Sequence, residues 1–147
     1  QALGSTDAII EHLKARLAET PKDAKAWFLL GRVYVSEADW KHANEAYVIA
    51  HSLEVNNHEY SLHYAESVWE LHHQSFDDET RALLHDILNE NAHQPDALAM
   101  LAYDAYSRHL NQDAVTYWER LLALTPTPSE DADKLRQAIA KARRIEK

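Results

Sequence analysis

The sequence predicts an all-α fold, a stack of antiparallel helix hairpins, and three observations predict it. The first is composition: 147 residues with only two glycines and four prolines, no cysteine, and abundant Ala, Leu, Glu and Lys, a makeup that favours helices and leaves no strands expected. The second is the stretch 27–55. Trp27, Leu30, Gly31 and Tyr34 recur at helical spacing and share one face; after a turn at 36–39, Ala43, Tyr47 and Ala50 do the same on a second helix. The third is recurrence, since Leu98, Leu101, Ala102 and Ala105, then Ala114, Trp118 and Leu121, repeat that spacing later in the chain.

In chain order, residues 6–20 predict a leading helix capped at Thr6 or Asp7, with Ile9, Leu13 and Leu17 on one side. It ends before Pro21, because the residue preceding proline is disfavoured in the helical region. Residues 1–5 read as a frayed leader. Residues 24–57 form the first full hairpin, and residues 58–94 a second in which Tyr64, Ala65 and Val68 take the places of Leu30, Gly31 and Tyr34. Ser61 stands where Trp27 stood, Leu83 and Ile87 mark the outer helix, and about six extra residues imply either a longer first helix or a bulged turn around 72–78. Residues 95–128 return to pattern. Residues 129–147 predict a capping helix with Ala132, Leu135, Ile139 and Ala142 on its apolar face. The whole is read as one domain.

The pattern W-x2-LG-x2-Y followed by A-x3-Y-x2-A resembles the tetratricopeptide repeat, a helix-turn-helix unit of about 34 residues. Only its closing proline is missing from the first repeat, where Val55 stands. A glycine within a helix costs about 1 kcal/mol against alanine, so Gly31 implies close approach of the partner helix.

The resemblance implies a curved stack whose first helices line a concave groove. A second stripe on those helices, Phe28, Arg32 and Val35, then Leu62, Glu66 and Trp69, then Ala99, Tyr103 and Tyr106, is the candidate peptide-binding surface, because contiguous apolar side chains facing solvent mark interaction sites. Two readings of this stripe stand side by side. The terminal helix can fold into the groove and bury Phe28, Val35 and Leu62 as ordinary core. Trp69, Tyr103 and Tyr106 favour ligand contact, since they combine area with a polar handle.

Chemistry other than binding finds little support. The net charge of -9 argues against a nucleic-acid surface, and no apolar run reaches the roughly 20 residues of a membrane span. Seven of the ten histidines (His51, His58, His63, His72, His73, His85 and His93) crowd one third of the chain, yet no His-x3-His pair occurs, and Glu59 with His63 reads as a solvated pair rather than a metal site. No nucleophile elbow or phosphate loop is present, and Asp77, Asp78 and Glu79 read as capping residues. The expectation is a non-enzyme with no cofactor and no metal. Repeat domains that clamp chaperone C-termini need cations on the groove stripe; here the positions are Phe28, Arg32, His63, Asp96 and Met100, so that clamp is absent.

The layout from residue 7 to 145 resembles the soluble repeat domain of the bacterial cytochrome c maturation system, the NrfG/CcmI-type subunit of haem lyase. The segments that carry it are WFLLGRVYV, ADWKHANEAY, the lengthened second repeat with DDETRALLHDIL, PDALAMLAYDAY and NQDAVTYWERLLAL. Ser61, in place of a usual large residue, departs from it. The resemblance implies a periplasmic assembly factor, attached to the membrane only through an anchor outside this chain. Its partners would be the C-terminal peptide of an apocytochrome c and the haem lyase membrane subunits. A generic repeat scaffold of an envelope complex is the competing expectation, and a haem-handling protein a third.

Overall fold

The computed structural model describes residues 2–146, with side chains described over 5–144. Among the described residues there are eight helices: α1 (Ala2–Glu19), α2 (Ala24–Ser36), α3 (Trp40–Leu53), α4 (His58–Leu71), α5 (Asp78–Glu90), α6 (Pro95–Ser107), α7 (Asn111–Ala123) and α8 (Glu130–Glu146). No strand occurs among the described residues. They fall into two compact units, residues 1–74 with α1–α4 and residues 75–147 with α5–α8.

Side-chain caps fix most helix starts, each satisfying a backbone N–H that the first turn leaves without a partner. The amide of Ala26 donates to Asp23 (3.1 Å), that of His42 to Asp39 (3.1 Å), that of Thr80 to Asp77 (2.8 Å) and that of Ala97 to Gln94 (2.9 Å). These amides hold the Asp23 and Asp39 carboxyls below the ordinary aspartate value, with Arg16 and His42 as further causes. The leading helix departs from expectation. It begins at Ala2, so Thr6 and Asp7 lie inside α1 and cap nothing.

In the first unit α2 packs between α1 and α3, and α3 against α4. Leu13 and Leu17 of α1 meet Ala26 and Leu30 of α2, while Phe28, Ala43, Tyr47, Ala50 and Tyr60 form a second cluster joining α2, α3 and α4. The close approach implied by Gly31 is there: the Tyr47 ring lies against it, leaving no room for a β-carbon. The Tyr47 hydroxyl is buried without a hydrogen-bond partner, and burial pushes its ionisation well above the usual tyrosine range. An unsatisfied buried donor contributes nothing that its removal would lose. Tyr47→Phe is therefore expected to leave the urea-unfolding free energy unchanged or raise it by up to about 1 kcal/mol, and a loss of that size would contradict the packing described.

Ser61 is not the defect its position suggested. It is fully buried, and its hydroxyl lies 3.1 Å from His51 Nδ1 and donates to the Asn57 carbonyl (3.2 Å). The His51 ring stacks on Tyr64 at 5.3 Å, so an imidazole from α3 replaces the bulk that Trp27 supplies one repeat earlier.

The extra length lies in the turn 72–77, six residues where 37–39 and 108–110 have three. The expectation of about six additional residues is corrected to three. The residues that repeat Ala43, Tyr47 and Ala50 are Thr80, Leu84 and Ile87, all essentially inaccessible, whereas Leu83 is only half-buried. A threonine at the small-residue position disguised the register. His72 and His73 belong to this turn and not to a helix; His73 and Gln74 adopt left-handed backbone.

In the second unit α6 packs against α5 and α7, and α7 against α8. Ala102, Ala105, Ala114, Val115 and Trp118 share one cluster with Ile139 and Ala142. Helix α8 keeps the register of a further first helix, since Ala132, Leu135 and Ile139 follow Leu98, Leu101 and Ala105 by one repeat. Its outer face is charged, with Arg143 bridging to Glu119 of α7.

Candidate functional site

The predicted stripe divides between the two units. In the first, Phe28 and Leu62 are core residues, 5 % and 7 % exposed. Phe28 stacks on Tyr60 at 4.7 Å and meets the His63 ring edge-on at 4.9 Å, so it supports the face made by α2 and α4 instead of offering itself to a ligand. Above it the Arg32 guanidinium lies 5.9 Å from the Phe28 ring centre, within cation–π reach. Val35 and Trp69 are half-buried, and Arg32 and Glu66 exposed. His63 turns Nδ1 to the Glu59 carbonyl at 2.9 Å, which aims its ring at Phe28 and Tyr47.

In the second unit Tyr103 is 56 % exposed and its ring meets buried Trp118 edge-on at 5.8 Å; Tyr106, half-buried, lies against the same indole at 5.6 Å. The pair thus forms an aromatic ledge seated on the buried Trp118 indole, and tyrosine side chains offer contact area at low entropic cost. Helix α8 packs on α7 and leaves Tyr103 uncovered.

Two features were missed by the stripe argument. A cleft of about 460 Å³ is floored by Trp27, Leu30 and Tyr34 and walled by Leu17 of α1 and Ile49 of α3; the Trp27 indole N–H, donating to the Pro21 carbonyl (2.8 Å), fixes its floor. A second hollow of about 400 Å³ opens between α1 and α2, lined by Ile9, Leu13, Leu29, Arg32, Val33 and Ser36. Both depend on which repeat faces lack a neighbour, which residue spacing alone does not reveal. Among the described residues no group of three or more His, Cys, Asp or Glu is arranged to hold a metal ion, and no described helix is long and apolar enough to cross a membrane.

Hairpins recurring in this register, the first with Gly31 under the ring of Tyr47, define a tetratricopeptide-repeat protein. Residues 8–144 match the family described as the cytochrome c-type biogenesis protein H TPR domain, and the chain belongs to that family. It is 26% identical over 130 residues to cytochrome c-type biogenesis protein CcmH of Escherichia coli K12, covering 88% of this chain and 37% of that protein. To CycH of Pseudomonas aeruginosa it is 23% identical over 143 residues, covering 97% and 35%. Subunit NrfG of the formate-dependent nitrite reductase complex of Escherichia coli O157:H7 is 24% identical over 141 residues, covering 96% and 71%. The chain therefore spans little more than a third of the CcmH and CycH relatives. Among solved structures, MamA superposes with a TM-score of 0.80 over 99% of this chain and 81% of its own, at 18% identity, a likeness of fold alone.

Proposed function

We propose that this chain is a non-catalytic binding module of cytochrome c biogenesis, holding the C-terminal region of an apocytochrome c while membrane subunits of haem lyase attach the haem. The observation that carries the reading is the match of residues 8–144, nearly the whole chain, to a family named for that process. The work is placed in the periplasm, with membrane attachment supplied by sequence beyond this domain. Covalent chemistry is assigned to the partners.

The mechanism follows from the exposed part of the stripe. In the second unit an amphipathic client helix would bury its apolar face on the Tyr103–Tyr106 ledge; in the first unit Trp69, with Arg32 and Glu66 on the same stripe, offers a contact surface of its own. Net negative charge speeds the encounter with a lysine-rich helix more than it deepens the affinity. Of the stripe, Phe28 and Leu62 act from beneath as support, and Val35 borders the surface.

The test is a calorimetric titration with C-terminal peptides of c-type cytochromes and scrambled controls. Tyr103→Ala is expected to weaken binding about tenfold or more, with Trp69→Ala acting in the same direction. Helical content should hold in Tyr103→Ala, since that side chain is largely in water. Equal affinity in both variants would move the site elsewhere, and equal binding of scrambled peptides would favour the generic scaffold.

A further inference from the structure

Helices α1–α3 and α5–α7 are two versions of one arrangement, a second helix followed by a full hairpin, and their bases are alike. Leu13, Leu17, Ala26 and Leu30 are buried in the first unit; Leu84, Leu88, Ala97 and Leu101, in the same register two repeats later, are buried in the second. Around these bases the two versions differ. The second has Tyr117 and Arg120 on α7, both half-buried. Tyr117 packs against the core of its unit, and Arg120 Nη2 donates to the Ala92 carbonyl (2.7 Å), reaching from α7 to the turn that joins α5 and α6. The first version has Ala46 and Ile49 at those positions, and there the cleft of about 460 Å³ lies open. Its aromatic bulk is carried by α2 instead, as Trp27 and Tyr34 where the second unit has Leu98 and Ala105. Both rings are half-buried, so they line the cleft without closing it.

The rim carries charge of both signs. Glu45 on α3 and Lys14 on α1 are exposed on opposite walls, and neither has an ion-pair partner among the described residues. The neighbouring His42 is already engaged, its Nδ1 lying 2.7 Å from Asp39 and its ring stacked on Tyr34 at 5.1 Å. The Trp27 N–H is taken by the Pro21 carbonyl, so the indole offers the cleft its ring and no free donor.

We propose that this cleft docks a helical segment of a partner protein that presents an aromatic side chain and an arginine three residues apart, the ring over Leu30 and Ala46 and the guanidinium beside Glu45. The ring follows from the second unit, where a tyrosine stands at the position of Ala46 around the same base. The arginine follows from Glu45 with Trp27 and Tyr34, because a guanidinium both forks onto a carboxylate and stacks on aromatic faces. The spacing is that of Tyr117 and Arg120, which places two side chains on one face of a helix. Lys14 sets the sense, since repulsion between like charges keeps the arginine on the α3 side. A free small molecule is the poorer occupant: such sites enclose most of their ligand, whereas Lys14, Ala18, His42 and Glu45 leave this mouth exposed. One side of the occupant thus faces out, towards the chain that carries it. None of the cleft residues belongs to the proposed client stripe, so the inference does not rest on that reading.

The probe is a fluorescein-labelled synthetic helix of roughly 18 residues, long enough to hold helical structure, built on Ala and Gln with one Tyr and one Arg three residues apart. One twin has Ser in place of the Tyr, and another has Glu in place of the Arg. Titrated by anisotropy into the intact chain, the parent peptide is expected to bind about tenfold tighter than either twin. Glu45→Arg, at an exposed site, should reverse the order of the parent and the Glu twin. The double variant Tyr34→Ala/Ala46→Tyr copies the residues of the second unit and should abolish binding of the parent with helical content unchanged; if it does not fold, Glu45→Arg decides alone. Equal binding of the three peptides, indifference to Glu45→Arg, or no binding at all would overturn the site. So would tyramine binding as tightly as the parent, which would assign the cleft to a small amine, or self-association abolished by Glu45→Arg, which would assign it to a second copy. Tyr103→Ala and Trp69→Ala should leave the affinity of the parent unchanged, so that failure of the cytochrome peptides and failure of this probe are separate results.

Discussion

Gly31→Leu is expected to lower the unfolding free energy by about 3 kcal/mol, at the upper end of what overpacking a core costs. A β-carbon built on Gly31 stands 2.6 Å from Tyr47 Cδ1 and 3.0 Å from Cζ, and closer still to Cε1. The ring has nowhere to go. Tyr47 is 1 % exposed and is held between Phe28 and His63, each with its ring centre 5.8 Å away. Gly31→Ala meets the same ring but recovers about 1 kcal/mol of helix propensity, so its net cost should be smaller; leucine adds three carbons that find no space. Tyr47→Ala made in the Gly31→Leu background should restore part of the loss, giving a coupling of about 0.5 to 3 kcal/mol in a double-mutant cycle. Urea titration of the four proteins measures it. An unchanged midpoint for Gly31→Leu, or strict additivity with Tyr47→Ala, would mean that the α2–α3 contact is not the one described.

That contact was legible from spacing, because a glycine amid bulky neighbours at helical intervals admits few explanations. The parts that were not legible share a cause: sequence spacing shows which residues share a face but not what fills the far side. Phe28 and Leu62 share the register of the predicted stripe but are core residues: Tyr60 and His63 close over Phe28, and no rule of periodicity brings those rings to it. Ser61 looked like a gap because the His51 ring that fills it comes from the preceding helix. The second repeat was misaligned since Leu83 is a more conventional packing residue than Thr80, and only burial tells them apart. The exposure of Tyr103 was legible for the converse reason, a large aromatic on a face that no other helix of its unit covers.

Asp104→Ala is expected to cost about 3 kcal/mol, the low end for breaking a buried ion pair, through a contact that recurs along the chain in changing chemistry. Arg81 of α5 and Asp104 of α6 form a two-pronged pair, Nε to Oδ2 at 2.7 Å and Nη2 to Oδ1 at 3.2 Å, with Asp104 almost wholly buried. The hydrogen bonds to Asp104 are the main cause holding Arg81 more firmly protonated than usual, so no accessible pH removes its charge. Without Asp104 the guanidinium keeps only exposed Asp78 and the Phe76 carbonyl, which is why the loss should fall at the low end and not beyond it. One repeat earlier the same crossing is neutral, Asn44 donating to Ser67 at 3.0 Å. One repeat later the positions are Val115 and Ala138, both in a single apolar cluster. The fold thus accepts amide–hydroxyl, ion-pair and apolar fillings at one crossing, and charge there is not required for helix docking. It follows that the double variant Arg81→Val/Asp104→Ala, which copies the apolar filling, should be more stable than Asp104→Ala alone by about 1 kcal/mol or more, because it leaves no buried cation without its partner. Urea unfolding of the two variants decides the matter: a double variant less stable than the single one would mean that the ion pair orders α5 and the turn 72–77 beyond its local balance of charge.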